Sequence, residues 1–297
     1  MPHVLTLVAA PGGLESVLVS RCRAALSALG ANPGAPDWLA EGEAVDIPFV
    51  NAPAELAAAA ARTALEDAPV DAIAQPAEGR RKRLLVADMD STIVTSETLD
   101  ELAAYAGLKE QIAAITARSM NGELDFAQAL HARVGMLAGL DVAALEATWQ
   151  ATEMMPGAAT LVATMRAHGA ICCLASGGFT FFTGRVSQKL GFDHHVSNIL
   201  LIEDGKLAGK VAEPVFDRNA KLATLTRLAT ENGLPMAATL AVGDGANDLD
   251  MIGAAGLGVA FRAKPIVAAA ARARVDHADL LALLYAQGYR RAEFREG

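Results

Sequence analysis

Cysteine, aromatic residues and positive charge are all scarce in this chain of 297 residues, and each scarcity excludes something. There are three cysteines, two of them adjacent at Cys172 and Cys173. That is neither a disulfide framework nor a zinc-ligand spacing, and it reads as reduced, buried thiols of a cytosolic protein. Aromatics make up 5% of the chain while apolar residues reach 53%. Lys and Arg number 25 against 34 Asp and Glu, a net charge of −9. Binding to nucleic acid or an anionic membrane selects a basic stripe, so neither partner is expected. No stretch approaches the ~18 uninterrupted apolar residues of a membrane span. The opening MPHVLTLVAAPGG lacks the basic segment of a signal peptide and reads as a first β-strand. The acidic balance also argues, at first sight, against an acidic ligand.

What is present is the content of a folded α/β protein, long enough for roughly two domains of ~150 residues. An apolar run over residues 3–10 is followed by Leu14, Val17, Leu18, Cys22, Leu26 and Leu29 at helical spacing, ending at Gly30. A second strand is expected near 43–50 and an alanine-rich helix over 52–66. These make a small α+β module over residues 1–75. Residues 75–83 are polar, contain Pro and Gly, and read as a linker with a solvated basic run at 80–83. A short strand at 84–87 then gives way abruptly to carboxylates. Residues 97–155 read as almost entirely helical. Strand–helix alternation returns from 157, with strands at 170–175, 199–202, 238–242 and 257–261. The expected organisation is an α/β core of 76–96 and 156–297, interrupted after its first strand by a helical insert of 97–155.

Four constellations carry chemistry. Asp88-Met89-Asp90-Ser91-Thr92 directly follows a strand, where open α/β sheets present their sites. Two carboxylates at i and i+2 that point to the same side repel unless a cation or a proton lies between them. This suggests a divalent metal with oxygen ligands, Mg²⁺ foremost. An acidic turn capping a helix is the plainer alternative. Gly243-Asp244-Gly245-Ala246-Asn247-Asp248 follows a second strand and adds carboxylates on a tight turn. Ser176-Gly177-Gly178 follows a third, where a hydroxyl and backbone N–H groups suit phosphate oxygens. Such a tripeptide is also common in loops. Lys221 opens a helix and gains meaning only beside the other three. His194-His195 reads as a loop pair, residues 205–210 as a hairpin turn, and the glycine-rich 253–258 as no dinucleotide site.

In this order (DxDST, a strand-end Ser, a Lys, GDGxND) the constellations resemble the haloacid dehalogenase-like phosphohydrolases. The segments DMDSTIVTSETLDELA, ITARSMNGELDFAQALHARV, SGGFTFF and GDGANDLDMIGAAGLGVAFRAKP resemble the phosphoserine-hydrolysing branch of that family. The likeness covers roughly residues 76–290, and residues 1–75 look like an ACT-like domain. It implies a Rossmann-like core with a mainly parallel sheet and a helical cap. The implied activity is Mg²⁺-dependent hydrolysis of O-phospho-L-serine, the last step of serine synthesis, by a cytoplasmic enzyme that could be a homodimer. Asp88 would be the nucleophile, Asp90 the general acid and base, and Lys221 the partner of Asp88 and phosphate. Asp88, Asp244, the Asp90 backbone carbonyl and, through water, Asp248 would hold the metal. Ser176, Gly177 and Asn247 would meet the phosphoryl group. Glu97 would take the substrate ammonium and Arg133 its carboxylate, with Met120 and Phe126 closing over the substrate. The competing expectations are a phosphatase or phosphotransferase of the same family with another substrate, and a non-catalytic amino-acid sensor.

Overall fold

The computed structural model describes residues 2–297. The N-terminal module runs β1 (His3–Ala9), α1 (Ser16–Ala28), β2 (Asn32–Pro33), β3 (Asp37–Ala40), β4 (Ala44–Val50), α2 (Ala54–Leu65) and β5 (Val70–Pro76). Its antiparallel sheet is ordered β2-β4-β1-β5, with β3 also paired to β4. Counting β2 and β3 as one interrupted strand, this is a βαββαβ unit. The central strand β1 shows why its sequence does not alternate. Leu5, Leu7 and Ala9 enter the module's own core, while Val8 joins the main core of the chain. Both faces of the strand are covered, so a near-continuous apolar run is required.

The remainder is built on a six-stranded parallel sheet ordered β13-β12-β11-β6-β7-β8. After β6 (Leu84–Ala87) come the helices α3 (Thr98–Ala104), α4 (Lys109–Met120), α5 (Phe126–Gly135) and α6 (Ala143–Ala151). Then follow α7 (Ala158–Ala167), β7 (Ile171–Phe179), α8 (Thr180–Leu190), β8 (His194–Asn198), β9 (Leu200–Glu203), β10 (Lys206–Val211) and α9 (Arg218–Glu231). The chain ends with β11 (Thr239–Gly243), α10 (Leu249–Ala254), β12 (Leu257–Phe261), α11 (Pro265–Ala270), β13 (Ala273–Val275) and α12 (Ala282–Ala286). Strands β6, β7 and β11 are neighbours in the sheet. Their carboxyl ends therefore bring residues 88–90, 176–178 and 244–248 to one edge.

Several expectations need correction. The strand expected at 199–202 does not belong to the parallel sheet. It becomes β9 of a separate hairpin with β10, whose turn is at Asp204-Gly205, so most of 205–210 is strand. Gly139 N–H of the insert donates to the Leu207 carbonyl of this hairpin at 2.8 Å, and Leu207 N–H donates to the Leu140 carbonyl at 2.8 Å, which keeps the two packed together. The sheet's edge strand is β8 instead, and it contains His194 and His195. Adjacent strand residues point to opposite faces, so the two rings cannot converge; His195 Nδ1 lies 3.1 Å from the Thr183 hydroxyl. The short edge strand β13 had no visible signal in the sequence.

The 80–83 segment is only partly solvated: Arg81 and Arg83 are exposed, while Arg80 and Lys82 turn inward. Arg80 pairs with the buried Asp46 at 2.5 Å. Lys82 is buried and its ammonium donates to the Ala237 and Gly79 carbonyls. Arg81 stacks over Tyr289 at 4.2 Å. Asp71 of β5 accepts backbone N–H groups from Asp276 at 2.7 Å and Ala278 at 2.8 Å, and from His277. Gln75 donates to the Ala286 carbonyl at 2.7 Å. The module is thus fastened to the C-terminal end of the chain by buried polar groups, each of which is costly to leave unpaired. Cys22, Cys172 and Cys173 are free and buried. Among the described residues, no helix is long and apolar enough to cross a membrane.

Glycines 256 and 258 serve packing. A Cβ on Gly258 would overlap the Ile252 carbonyl, and one on Gly256 would overlap that of Ala237. Neither obstacle is a flexible side-chain end. Gly258→Ala is expected to destabilise the chain by about 2 kcal/mol or more, through forced backbone displacement in a close-packed interior. Urea unfolding checks this, and a change below about 0.5 kcal/mol would contradict it.

Candidate active site

The loop after β6 is held open by the backbone. Asp88 N–H still donates to the Val242 carbonyl of β11 at 3.0 Å, so its carboxylate leaves the sheet at a fixed point. The Met89 carbonyl then accepts from Ile93 and Val94, which folds the chain into a tight turn with Ser91 at a φ of 55°. That turn presents Asp90 to the insert. Asp90 Oδ1 accepts the Thr98 N–H at 2.8 Å, at the start of α3, and Oδ2 receives the Ser176 hydroxyl at 3.3 Å. The Ser176 oxygen in turn accepts Gly178 N–H at 2.9 Å. A Cβ on Gly178 would lie 2.7 Å from Asp90 Oδ2, so only glycine permits this approach.

Lys221 lies in the first turn of α9, whose start is capped by Asp217 accepting Ala220 N–H at 3.0 Å. Its ammonium is buried between two carboxylates, 2.7 Å from Asp88 Oδ1 and 2.6 Å from Asp248 Oδ1. The other Asp248 oxygen accepts Gly245 N–H at 3.1 Å. Asp244 is different. Its Oδ2 is buried without a hydrogen-bond partner, and Lys264 Nζ stands 4.0 Å away. Asp88, Asp244 and Asp248 each offer an oxygen, all within 4.8 Å of one another. An all-oxygen set with an unpartnered buried carboxylate oxygen fits a hard divalent cation.

The electrostatics agree. Burial, with Asp88 beside it, pushes Asp90 up to about 6. Burial and the charge of Asp90 push Glu97 up to about 8. Burial and Asp88 raise Asp248 to about 7, against the pull of Lys221. Asp244 is raised well above the usual carboxylate range by burial, Glu97 and Asp88. Burial alone would lower Lys221, but Asp248 and Asp88 outweigh it and hold the ammonium above its ordinary value. Too much negative charge is gathered here for the cations present, and protons or a metal must balance it.

A narrow cleft opens above this cluster. Asp88, Asp90, Glu97, Met120, Phe126, Arg133, Gly177 and Asn247 all line it. Glu97 Oε1 receives the Ser91 hydroxyl at 2.6 Å. Arg133 is buried in the cleft wall. Met120 sulfur closes against Gly245, and the Phe126 ring against Gly177; a Cβ on Gly177 would come within 2.7 Å of that ring. Ser176, Lys221, Asp244 and Asp248 do not line the cleft and lie behind it. The Ser176 hydroxyl is turned toward Asp90. Sequence reasoning missed Lys264, whose N–H also binds the Asp244 carbonyl at 2.9 Å, and the pair Asp100 and Thr116 behind Arg133. Lys264 carries no local signal, since only the sheet brings it to Asp244.

Comparison with known proteins identifies the family and the fold. Residues 85–253 match the family described as haloacid dehalogenase-like hydrolase. The chain belongs to that family. A phosphoserine phosphatase of Streptomyces coelicolor is 45% identical over 214 residues, 72% of this chain and 52% of that protein. This chain therefore matches about half the length of that relative. A structure described as a phospho-aspartyl intermediate analogue of phosphoserine phosphatase is 38% identical, with a TM-score of 0.67 over 69% of this chain and 98% of the other. A probable phosphoserine phosphatase from Vibrio cholerae, unliganded, gives a TM-score of 0.77 at 31% identity, covering 98% of this chain and 88% of that one. This last likeness extends through the N-terminal module.

Removing Lys221 tests the charge balance of this cluster. Lys221→Met leaves Asp88 and Asp248 buried without their cation, at a cost of about 3–5 kcal/mol near neutral pH. Asp248, already raised to about 7 with Lys221 present, then loses the pull that lowers it, so its folded-state pKa lies above its unfolded one. Protonation therefore relieves the penalty at low pH, and the loss grows as pH rises through the raised value. Urea unfolding in metal-free buffer at pH 5.5 and pH 8 reads this, and an equal loss at both would contradict it.

Proposed function

We propose that this protein hydrolyses O-phospho-L-serine to L-serine and phosphate with Mg²⁺, by way of an aspartyl-phosphate on Asp88. The observation that carries the reading is one cleft with a carboxylate–lysine–carboxylate cluster at its base and both Glu97 and Arg133 in its wall. A phosphate ester alone needs the base. An α-amino acid ester gives reason for both a carboxylate and a guanidinium in the wall. The relatives named phosphoserine phosphatase support the same substrate.

In this mechanism, Asp88 attacks phosphorus and the bond from phosphorus to the serine oxygen breaks. Asp90, whose raised pKa lets it carry a proton near pH 6, donates that proton to the leaving oxygen. Asp90 then accepts a proton from water as the water attacks phosphorus, and phosphate leaves with Asp88 restored. Lys221 holds Asp88 in place and offsets charge on the phosphoryl group. The magnitude matters: two like charges at ~4 Å repel by about 4 kcal/mol at an effective dielectric of ~20, worth roughly three powers of ten in rate. Asp88, Asp244, the Asp90 carbonyl and, through water, Asp248 would hold Mg²⁺, which would neutralise charge at the transferring phosphoryl group. Gly177, Asn247 and Ser176 would meet the phosphoryl oxygens, for which the Ser176 hydroxyl must turn from Asp90. Glu97 would pair with the ammonium and Arg133 with the carboxylate. Met120 and Phe126, closed on the glycines of the core loops, would exclude water. Residues 97–155 would act as the cap over a core of 76–96 and 156–297, with 1–75 as a separate ACT-like module. The buried free thiols suit a reducing, cytoplasmic compartment.

Phosphate release from phosphoserine, O-phosphoethanolamine and glucose 6-phosphate, with Mg²⁺ or EDTA, is the test. The expected outcome is turnover dependent on Mg²⁺ and strongest for phosphoserine, with Asp88→Asn slower by about 10³-fold or more. Equal turnover of glucose 6-phosphate would defeat the serine reading. Normal activity in Asp88→Asn would defeat the nucleophile.

A further inference from the structure

Arg133 is held by a relay that crosses three helices of the insert. Its Nε donates to the Ala129 carbonyl at 3.1 Å, within its own helix α5. One terminal N–H donates to the Thr116 hydroxyl oxygen of α4 at 2.9 Å. That hydroxyl donates to Asp100 Oδ1 of α3 at 2.6 Å, with the Ile112 carbonyl at 3.1 Å as a more distant acceptor. All three side chains are buried: Asp100 is 8% exposed, Thr116 3% and Arg133 3%.

The direction of the relay follows from the donor inventory. Arginine only donates and an ionised carboxylate only accepts, so a hydroxyl between them accepts from one and donates to the other. A guanidinium has five N–H groups. Two are used, leaving three with no protein hydrogen bond among the described residues, on a group that lines the cleft. Burial works against the charge of Arg133, and Asp100 is the first of the carboxylates that sustain it, ahead of Glu97 and Asp90. A buried guanidinium next to a buried carboxylate favours a direct two-pronged pair, and such a pair would consume N–H groups that now face the cleft. Instead, the Thr116 hydroxyl bridges the two groups, which make no direct ion pair.

We propose that Thr116, backed by Asp100, is a positioning residue that keeps Arg133 from closing onto Asp100 and so leaves its free N–H groups for the carboxylate of a phosphorylated amino acid. This rests on the reading of Arg133 given above. The relay sets specificity and leaves the phosphoryl chemistry alone. Its signature is a penalty confined to substrates that carry a carboxylate.

The test compares kcat and KM for phosphoserine and for O-phosphoethanolamine, which keeps the phosphate and ammonium and lacks the carboxylate. The full chain with Mg²⁺ is used, as wild type, Thr116→Val, Thr116→Ser and Arg133→Ala. Thr116→Val is expected to raise KM for phosphoserine by about tenfold, with kcat within about threefold and phosphoethanolamine kcat/KM unchanged. Thr116→Ser, which restores the hydroxyl, is expected to return KM to within about threefold of wild type. Thr116→Ala carries the same expectation as valine and replaces it if the valine variant does not fold. Equal losses for both substrates would mean that Thr116 only supports the fold, and the proposal is overturned. It is also overturned if Arg133→Ala raises KM for phosphoserine while Thr116→Val does not. If Arg133→Ala leaves the preference for phosphoserine intact, the fault lies with the reading of Arg133, and the relay's role falls with it.

Discussion

The constraint on which the site depends is the mutual repulsion of buried carboxylates at one edge of the parallel sheet. Asp88, Asp244 and Asp248 come from two strand ends and lie within reach of a single ion. Lys221 enters from a helix on another part of the chain and neutralises two of them directly. Everything around the cluster serves to hold these groups closer than they would approach in water. Backbone N–H groups fix Asp90 and Asp248. Glycines at 177 and 178 remove the Cβ atoms that would keep the loops apart. The arrangement stores a demand for positive charge, and a phosphate ester site with a divalent cation is one chemical way to meet it.

The same economy of buried charge recurs away from the site. Asp71 satisfies three successive backbone donors at the junction of the N-terminal module and the C-terminal end of the chain. Asp46 is buried with Arg80 and the Thr6 hydroxyl. Asp100 is buried with Thr116 near Arg133. The net charge of −9 therefore gives a poor guide to ligand preference. Seven of the 34 acidic side chains are buried inside the protein, where they organise backbone, lysine and arginine groups. A polyanion would feel the acidic surface, while a small phosphate ester would feel the balance within one cleft.

The insert and the core meet through small contacts with large consequences. Phe126 on Gly177 and Met120 on Gly245 bring the cap helices onto the two loops that carry polar groups. Asp90 joins them from the other side by accepting the first N–H of α3. Any shift of the insert is thus coupled to Asp90 and to the cleft wall. The cleft wall and the carboxylate cluster come from different parts of the chain, yet they are mechanically connected through one carboxylate.

Strand–carboxylate junctions were legible in the sequence because an apolar run that stops at Asp88 or Asp244 leaves a local mark. Helical spacing in the insert and the two apolar runs that became β1 and β4 were legible for the same reason, whereas β2, β3 and β5 of the N-terminal module were not. The edge strand carrying His194 and His195 was not, because a short polar edge strand has no apolar pattern to reveal it. The β9–β10 hairpin was misplaced because ILLI reads the same in a core strand and in a hairpin packed on a cap. The basic run at 80–83 looked solvated, since nothing local announces Asp46, Ala237 or Tyr289 as partners. Local pattern and order along the chain determined the fold class and named most of the candidate residues. Tertiary structure alone decided that Lys221 lies between two carboxylates, that Lys264 reaches Asp244, that Ser176 faces Asp90, and that Arg133 lines the cleft with Thr116 and Asp100 behind it. The physical reason is that charge balance and hydrogen-bond partnership are relations between residues distant in sequence, and only folding sets the distances on which they depend.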